Sequence, residues 1–166
     1  MRYVNKKEIF TKVEQDLLNQ GFLLDNIDSE RPWGGFFVID ENQAQKFADE
    51  YFEGLNTQNL KIAGKLSPKI LIVAPNKRLS WQYHHRRAEI WRIVEGEVGV
   101  VTSDTDQEHE LKILKVGETI RLKQGERHRL VGLGGYGVVA EIWQHTDAEN
   151  PSDENDIVRV QDDFGR

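Results

Sequence analysis

Leu79-Ser80-Trp81-Gln82-Tyr83-His84-His85-Arg86-Arg87-Ala88-Glu89-Ile90-Trp91 carries more chemistry than any other stretch of this chain. Read as a strand, it turns alternate side chains to one face, so Gln82 and His84 project together. A tight turn through Arg86 and Arg87 would bring Glu89 back on the neighbouring strand to join them. His128, several turns later, would close the group from a different strand. Imidazole nitrogen, carboxylate oxygen and amide oxygen in one cluster suit a borderline divalent ion such as zinc, manganese, iron, nickel or cobalt. The plainer alternative is four unrelated strand residues, satisfied in a core or at the surface. Spacing alone leaves both open.

Outward from this stretch the pattern is that of short strands. β-Branched and aromatic runs cover residues 70–74, 79–83, 90–94, 98–102, 110–114, 118–122, 128–133 and 137–143, separated by polar or Gly-containing turns. Runs of this length and spacing predict an all-β sandwich or closed barrel. Towards the amino terminus the period changes. Asn5 followed by Glu8 forms a capping box, and Ile9, Phe10, Val13, Leu17 and Leu18 recur at helical spacing until Gly21. A second amphipathic helix fits residues 42–52, with Phe47, Ala48 and Tyr51 on its apolar face, and Trp33-Gly34-Gly35 turns into a strand ending at Ile39. One domain over residues 1–166 is expected. Residues 1–68 form a helical and extended part packed on the barrel, 69–145 the barrel core, and 146–166 the tail. The stretch 146–156 is polar and acidic and reads as a surface loop or mobile tail.

Composition narrows the classes. The 166 residues include 22 basic and 28 acidic side chains, net −6, which speaks against nucleic acid as the main partner. There is no cysteine, so thiolate metal sites, disulfides and thiol nucleophiles are excluded, and a reducing cytoplasm suits the chain. Residues 1–10 lack an apolar segment, so no secretory signal is expected. The longest aliphatic run, 70–74, is far short of the roughly 20 apolar residues of a membrane helix, so no membrane partner is expected either.

The same residues resemble a known superfamily. The cupins carry two motifs, G-x5-H-x-H-x3–4-E-x6-G and G-x5-P-x-G-x2-H-x3-N. Here Asn76 stands at the first Gly, followed by Gln82, His84, Glu89 and Gly96 at the motif's spacing. Gly117, Lys123, Gly125, His128 and Gly132 follow the second motif, with Lys123 for Pro and Gly132 for Asn. Within the superfamily, Gln82 for the first His is similar to the carboxy-terminal domain of bifunctional mannose-1-phosphate guanylyltransferase/mannose-6-phosphate isomerases, whose pattern is close to L-S-x-Q-x-H-H-H-R-A-E-x-W. Further matching blocks are Arg31-Pro32-Trp33-Gly34, His128-Arg129-Leu130, Asp156-Ile157-Val158-Arg159 and Asp162-Asp163-Phe164-Gly165-Arg166. Arg86 departs from the third family His. A nucleotidyltransferase half is absent from the sequence, so guanylyltransferase activity is not expected.

The resemblance implies an all-β cupin jelly-roll barrel with helical decoration at its amino-terminal end. It also implies one divalent ion, zinc first, held by Gln82, His84, Glu89 and His128, and a sugar phosphate of the mannose 6-phosphate type as ligand. Cupins commonly pair, so a homodimer is expected. An aldose–ketose isomerase needs a base near the metal. Glu141, a carboxylate in the apolar run Val138-Val139-Ala140-Glu141-Ile142-Trp143, is the candidate, with solvation or an Arg partner as its plainer fate. Arg87 is the second catalytic candidate. Trp33, Lys123, Arg129 and Arg166 are candidates for binding the substrate, the cations among them as phosphate handles. Trp91, two residues after Glu89, should wall the same cavity. A non-catalytic cupin that binds a sugar or sugar nucleotide is the alternative; oxygen-dependent oxidation and sugar-nucleotide epimerisation rank below it.

Overall fold

The computed structural model describes residues 3–166, so Met1 and Arg2 of the stretch read for a secretory signal lie outside the described residues. Helix α1 spans Lys6–Asn19. Asn5 Oδ1 accepts the Glu8 N–H at 2.9 Å, and Glu8 Oε2 accepts the Val4 N–H at 3.2 Å. This caps the helix as its sequence predicts, with the reciprocal bond one residue earlier than in a standard box. Gly21, at φ 86°, ends it. Helix α2 spans Ala44–Tyr51 and is shorter than the predicted 42–52, because residues 41–43 wind as a 3₁₀ turn.

Eleven strands follow the chain: β1 (Leu24–Arg31), β2 (Gly34–Ile39), β3 (Lys69–Val73), β4 (Trp81–Tyr83), β5 (Arg87–Glu95), β6 (Val98–Ser103), β7 (Lys112–Leu114), β8 (Thr119–Leu122), β9 (Arg127–Gly132), β10 (Gly137–His145) and β11 (Val158–Gln161). They form two antiparallel sheets, ordered β1-β2-β3-β10-β5-β8 and β11-β4-β9-β6-β7. This is the jelly-roll arrangement that the resemblance implies, and the helices are a minor addition to it. Among the described residues no helix is long and apolar enough to cross a membrane.

The six-stranded sheet is covered on both faces, which explains why its central strands are apolar throughout. On its outer face Ile70, Ile72, Val138, Ala140 and Ile142 pack with Ile9, Phe10, Val13 and Leu17 of α1 and Phe47 of α2. On its inner face Leu71, Val73, Trp91, Ile93 and Val139 meet Val98, Val100 and Leu130 of the facing sheet. Lys69, Arg87, Glu89 and Glu141 interrupt the inner rows with charge. Lys69 of β3 lies opposite Glu141 of β10, Glu141 lies opposite Trp91 of β5, and Glu89 lies opposite Trp143. An ionisable group in such a row must find a partner or a function.

All eight predicted runs contain strands, and the turn after Trp33 leads into β2. Two strands are additional: β1, an edge strand with a polar sequence, and β11, in the tail. The predicted turn after His84 is a bend at residues 85–86, but it does not make a hairpin. β4 and β5 belong to different sheets, so Glu89 reaches the ligand group from across the barrel and not from a hydrogen-bonded neighbour. The tail corrects the sequence reading more strongly. Residues 146–156 contain no helix or strand, yet Ser152 and Asp156 are 3 % and 4 % exposed, packed under the bend that follows β4.

Candidate metal centre and the cavity above it

His84, just past β4, and His128, on β9, approach from one sheet, while Glu89, on β5, approaches from the other. Their metal-binding atoms all lie within 4.8 Å of one another, and all three side chains are buried. His84 Nε2 is 3.2 Å from Glu89 Oε2, and His128 Nε2 is 3.5 Å from Glu89 Oε1. Each ring is held from behind: His84 Nδ1 donates to the Asp156 carbonyl at 2.7 Å, and His128 Nδ1 donates to the Glu126 carbonyl at 3.1 Å. A carbonyl only accepts, so in the neutral rings the proton sits on Nδ1 and each Nε2 turns a lone pair inward. His128 Nε2 is buried without any hydrogen-bond partner, alone in this among the described residues. Converging lone pairs with one left unsatisfied form a donor set that fits a divalent cation.

Gln82 pairs in register with His128 and places its amide beside them, Nε2 at 3.4 Å from His84 Nε2. Its Oε1 accepts from Ser80 Oγ at 2.5 Å, so a half-turn of the amide is what would direct oxygen at the group. Burial alone would raise the Glu89 carboxyl; the charge of Arg87 leads the opposing influences and holds it well below the usual carboxylate range. Burial also pulls the His84 imidazolium down, which favours the neutral, ligating ring.

Above the group opens a cavity lined by Trp33, Gln82, Arg87, Glu89, Trp91 and Glu141, and also by Lys69, Phe36, Trp143 and Glu154. Arg31, Arg159 and Arg166 line it too. Glu141 accepts the Trp91 Nε1–H on Oε2 and the Trp143 Nε1–H on Oε1, both at 2.8 Å, which fixes the plane of its carboxylate. Burial pushes its pKa up to about 7, with the charge of Glu89 adding to the effect and Lys69 and Arg87 opposing it. Burial draws Lys69 down to about 8 against the pull of Glu141. The Lys69 ammonium also pairs with Glu154 and lies 4.9 Å and 4.5 Å from the ring centroids of Phe36 and Trp143. Arg87, 5 % exposed, donates from Nε to Glu89 Oε2 at 2.8 Å, contacts His84 Nε2 at 3.2 Å through Nη2, and stacks over Trp143 at 3.6 Å.

The structure therefore brings together Gln82, His84, Glu89, His128, Glu141, Arg87, Trp33 and Arg166 of the residues singled out from sequence. Two others are not brought there. Lys123 lies in the turn after β8, outside the cavity lining. Arg129 is fully buried on the opposite side of β9, donating to the Leu79 carbonyl, Glu108 and Gln161. Neighbouring strand residues face opposite ways, so the arginine following an inward-facing His128 had to point outward. Sequence reasoning missed Lys69 and Arg159 as cavity residues. Lys69 carried the signal that marked Glu141, a charge in an apolar strand; Arg159 lay in a block that matched the family but was not assigned to the cavity.

Comparison with known proteins agrees with this geometry. Residues 45–162 match the family described as Mannose-6-phosphate isomerase C-terminal. The chain belongs to this family. Among curated relatives, a mannose-1-phosphate guanylyltransferase of Escherichia coli is 31 % identical over 137 residues, covering 82 % of this chain and 22 % of the relative. The xanthan biosynthesis protein XanB of Xanthomonas campestris is 29 % identical over 136 residues, covering 82 % of this chain and 23 % of its own length. The chain thus spans less than a quarter of the curated relatives it matches. Among solved structures, a recombinant oxalate oxidase superposes with a TM-score of 0.52 at 20 % identity, over 80 % of this chain and 58 % of that one. The capsular polysaccharide assembling protein CapF of Staphylococcus aureus gives 0.53 at 16 % identity, over 84 % and 32 %. At such identities these likenesses show the fold alone, the cupin barrel.

Proposed function

We propose that this cupin is a metal-dependent isomerase of sugar phosphates, interconverting an aldose and a ketose of the mannose 6-phosphate and fructose 6-phosphate kind. The observation that carries this reading is a cationic cavity standing over the His84, Glu89 and His128 group in an acidic protein. Five basic side chains line the cavity against three carboxylates, although the chain as a whole is −6. Burial draws Arg159 down, and the charges of Arg166 and Arg31 act in the same direction. Like charges gathered in a partly desolvated mouth favour an anion, and guanidinium forks match phosphate.

A bound divalent ion, zinc by the mixed imidazole and carboxylate set, supplies Lewis acidity towards substrate oxygens. Gln82 is neutral, so two imidazoles and one carboxylate leave the donor set with a single negative charge, less than a divalent cation carries. Glu141 takes the proton from C2 and returns it to C1. Its raised pKa suits a base that must both accept and release near neutral pH. Lys69, directly across the strand pair, is placed to hold or move the proton between the two substrate oxygens. Arg87 orients Glu89, and Trp33 gives the sugar an apolar wall. A second reading, a cupin that binds a sugar or sugar nucleotide without converting it, draws on Arg86 standing where the resembling pattern has a third His.

The test follows fructose 6-phosphate formation from mannose 6-phosphate by the full chain. Glu141→Gln is expected to lower kcat by about 10²-fold or more with KM little changed, as for loss of a positioned base. Arg159→Ala is expected to raise KM more than it lowers kcat. Failure of the wild-type protein to convert any aldose or ketose phosphate in a broad panel contradicts the isomerase reading; saturable sugar binding without turnover supports the second one.

A further inference from the structure

The tail between β10 and β11 meets the ligand-bearing bend at Asp156, a buried acid that the isomerase reading does not use. Its carboxylate bridges the bend after His84. Oδ1 accepts the His85 N–H and Oδ2 the Arg86 N–H, each at 3.0 Å, and Ser152 Oγ donates to Oδ2 at 2.6 Å. The carbonyl of the same residue accepts from His84 Nδ1 at 2.7 Å. One residue thus holds the bend by its side chain and the imidazole by its main chain. An imidazole left free would rotate and share its proton between both nitrogens; one whose Nδ1–H is tied to a fixed carbonyl keeps one orientation and one tautomer. The tail also steadies the neighbouring charge, since Arg87 Nη1 donates to Ser152 Oγ at 2.8 Å and to the Asp153 carbonyl at 3.0 Å.

We infer that Asp156 is a positioning residue for the metal centre. By clamping the amides of His85 and Arg86 it locks its own carbonyl behind His84 Nδ1. A tail that contributes no ligand thereby sets the affinity for a divalent cation. This rests on the metal-centre reading and is independent of whether a sugar phosphate is turned over.

The test is zinc binding by calorimetry, with urea denaturation in parallel, on the full-length wild type, Asp156→Ala and Asp163→Ala. Asp163 anchors the same tail further along, to Arg78 at 2.7 and 2.9 Å, without touching a ligand. Asp156→Ala is expected to weaken zinc binding roughly 10–100-fold, the usual cost of losing a partner behind a ligating His. Asp163→Ala, which loosens the tail elsewhere, should lower stability and keep wild-type affinity. Wild-type affinity in Asp156→Ala, or equal weakening in both variants, overturns the inference alone. A wild-type chain that binds no zinc overturns it together with the metal centre. Should Asp156→Ala not fold, amide exchange in the wild type decides. Zinc must slow the His85 and Arg86 amides by about tenfold more than the Val131 amide on β9, because coupling between the two sites is reciprocal; equal slowing overturns the inference.

Discussion

His145 closes β10 with a fully buried ring whose nitrogens are both engaged in the neutral state. Nδ1 accepts the Ser152 N–H and Nε2 donates to Ser67 Oγ, each at 3.0 Å. Burial pulls its pKa down to about 4, and the charges of Lys65 and Arg87 act in the same direction. Between pH 6.5 and 4 the unfolded chain therefore binds a proton that the folded chain refuses. The stabilisation is complete above about pH 6.5 and falls as the pH drops towards 4, by about 3 kcal/mol across the window. Urea midpoints measured from pH 7 to pH 4 should show this acid limb in the wild type and a flatter one in His145→Asn. Parallel limbs would contradict it. At this scale the grouping of His84, Glu89 and His128 was readable because metal chemistry restricts residue type and spacing together. Arg129 was taken as a phosphate handle from the block His128-Arg129-Leu130, but strand alternation turns it to the face opposite His128, and Lys123 lies in the turn after β8, outside the cavity lining. Lys69 was legible by the rule that picked Glu141, since both are charges in apolar strands, and they prove to be cross-strand neighbours.

Elements were legible in proportion to how much apolar surface they bury. The central strands are covered on both faces and announce themselves as β-branched runs. β1, Leu-Asp-Asn-Ile-Asp-Ser-Glu-Arg over Leu24–Arg31, sits at a sheet edge with little to bury and gives no such signal. β11 is likewise an edge strand, and its pairing partner β4 is only three residues long. Two of the departures from the cupin motifs, one in each motif, follow from backbone physics. Asn76 adopts φ 60°, the left-handed turn that Gly would favour and Asn tolerates. Gly132 closes β9 where the motif has Asn, because a Cβ there would fall 1.9 Å from the Ala74 carbonyl oxygen and 2.9 Å from that of Lys77. Both contacts are backbone and cannot swing aside. Gly132→Ala is therefore expected to destabilise the fold by about 2 kcal/mol or more in chemical denaturation, as overpacking against a rigid neighbour does. A change below about 0.5 kcal/mol, the range of neutral surface substitutions, would show that β9 and the loop at residues 74–77 can separate freely.

For the molecule as a whole, the sign of the net charge and the sign of the cavity oppose each other. Arg31 from β1, Lys69 from β3, Arg87 from β5, and Arg159 and Arg166 from the tail converge on one mouth, which among the described residues only Glu89, Glu141 and Glu154 line as carboxylates. No window of sequence contains that cluster; it exists only once an edge strand and the tail have closed over the barrel. The barrel itself, by contrast, was visible from strand spacing and from two short motifs, the first of which holds Gln82, His84 and Glu89 in one stretch. The central claim is that this barrel holds one divalent cation through His84, Glu89 and His128 beneath a mouth built for an anion. The direct measurement is metal content by mass spectrometry of protein purified without a chelating tag and dialysed against zinc, manganese, iron, nickel and cobalt in turn. The account predicts close to one ion per chain in the wild type for at least one of these metals, and none in His128→Ala. A wild-type chain that retains no ion from any of them would contradict it.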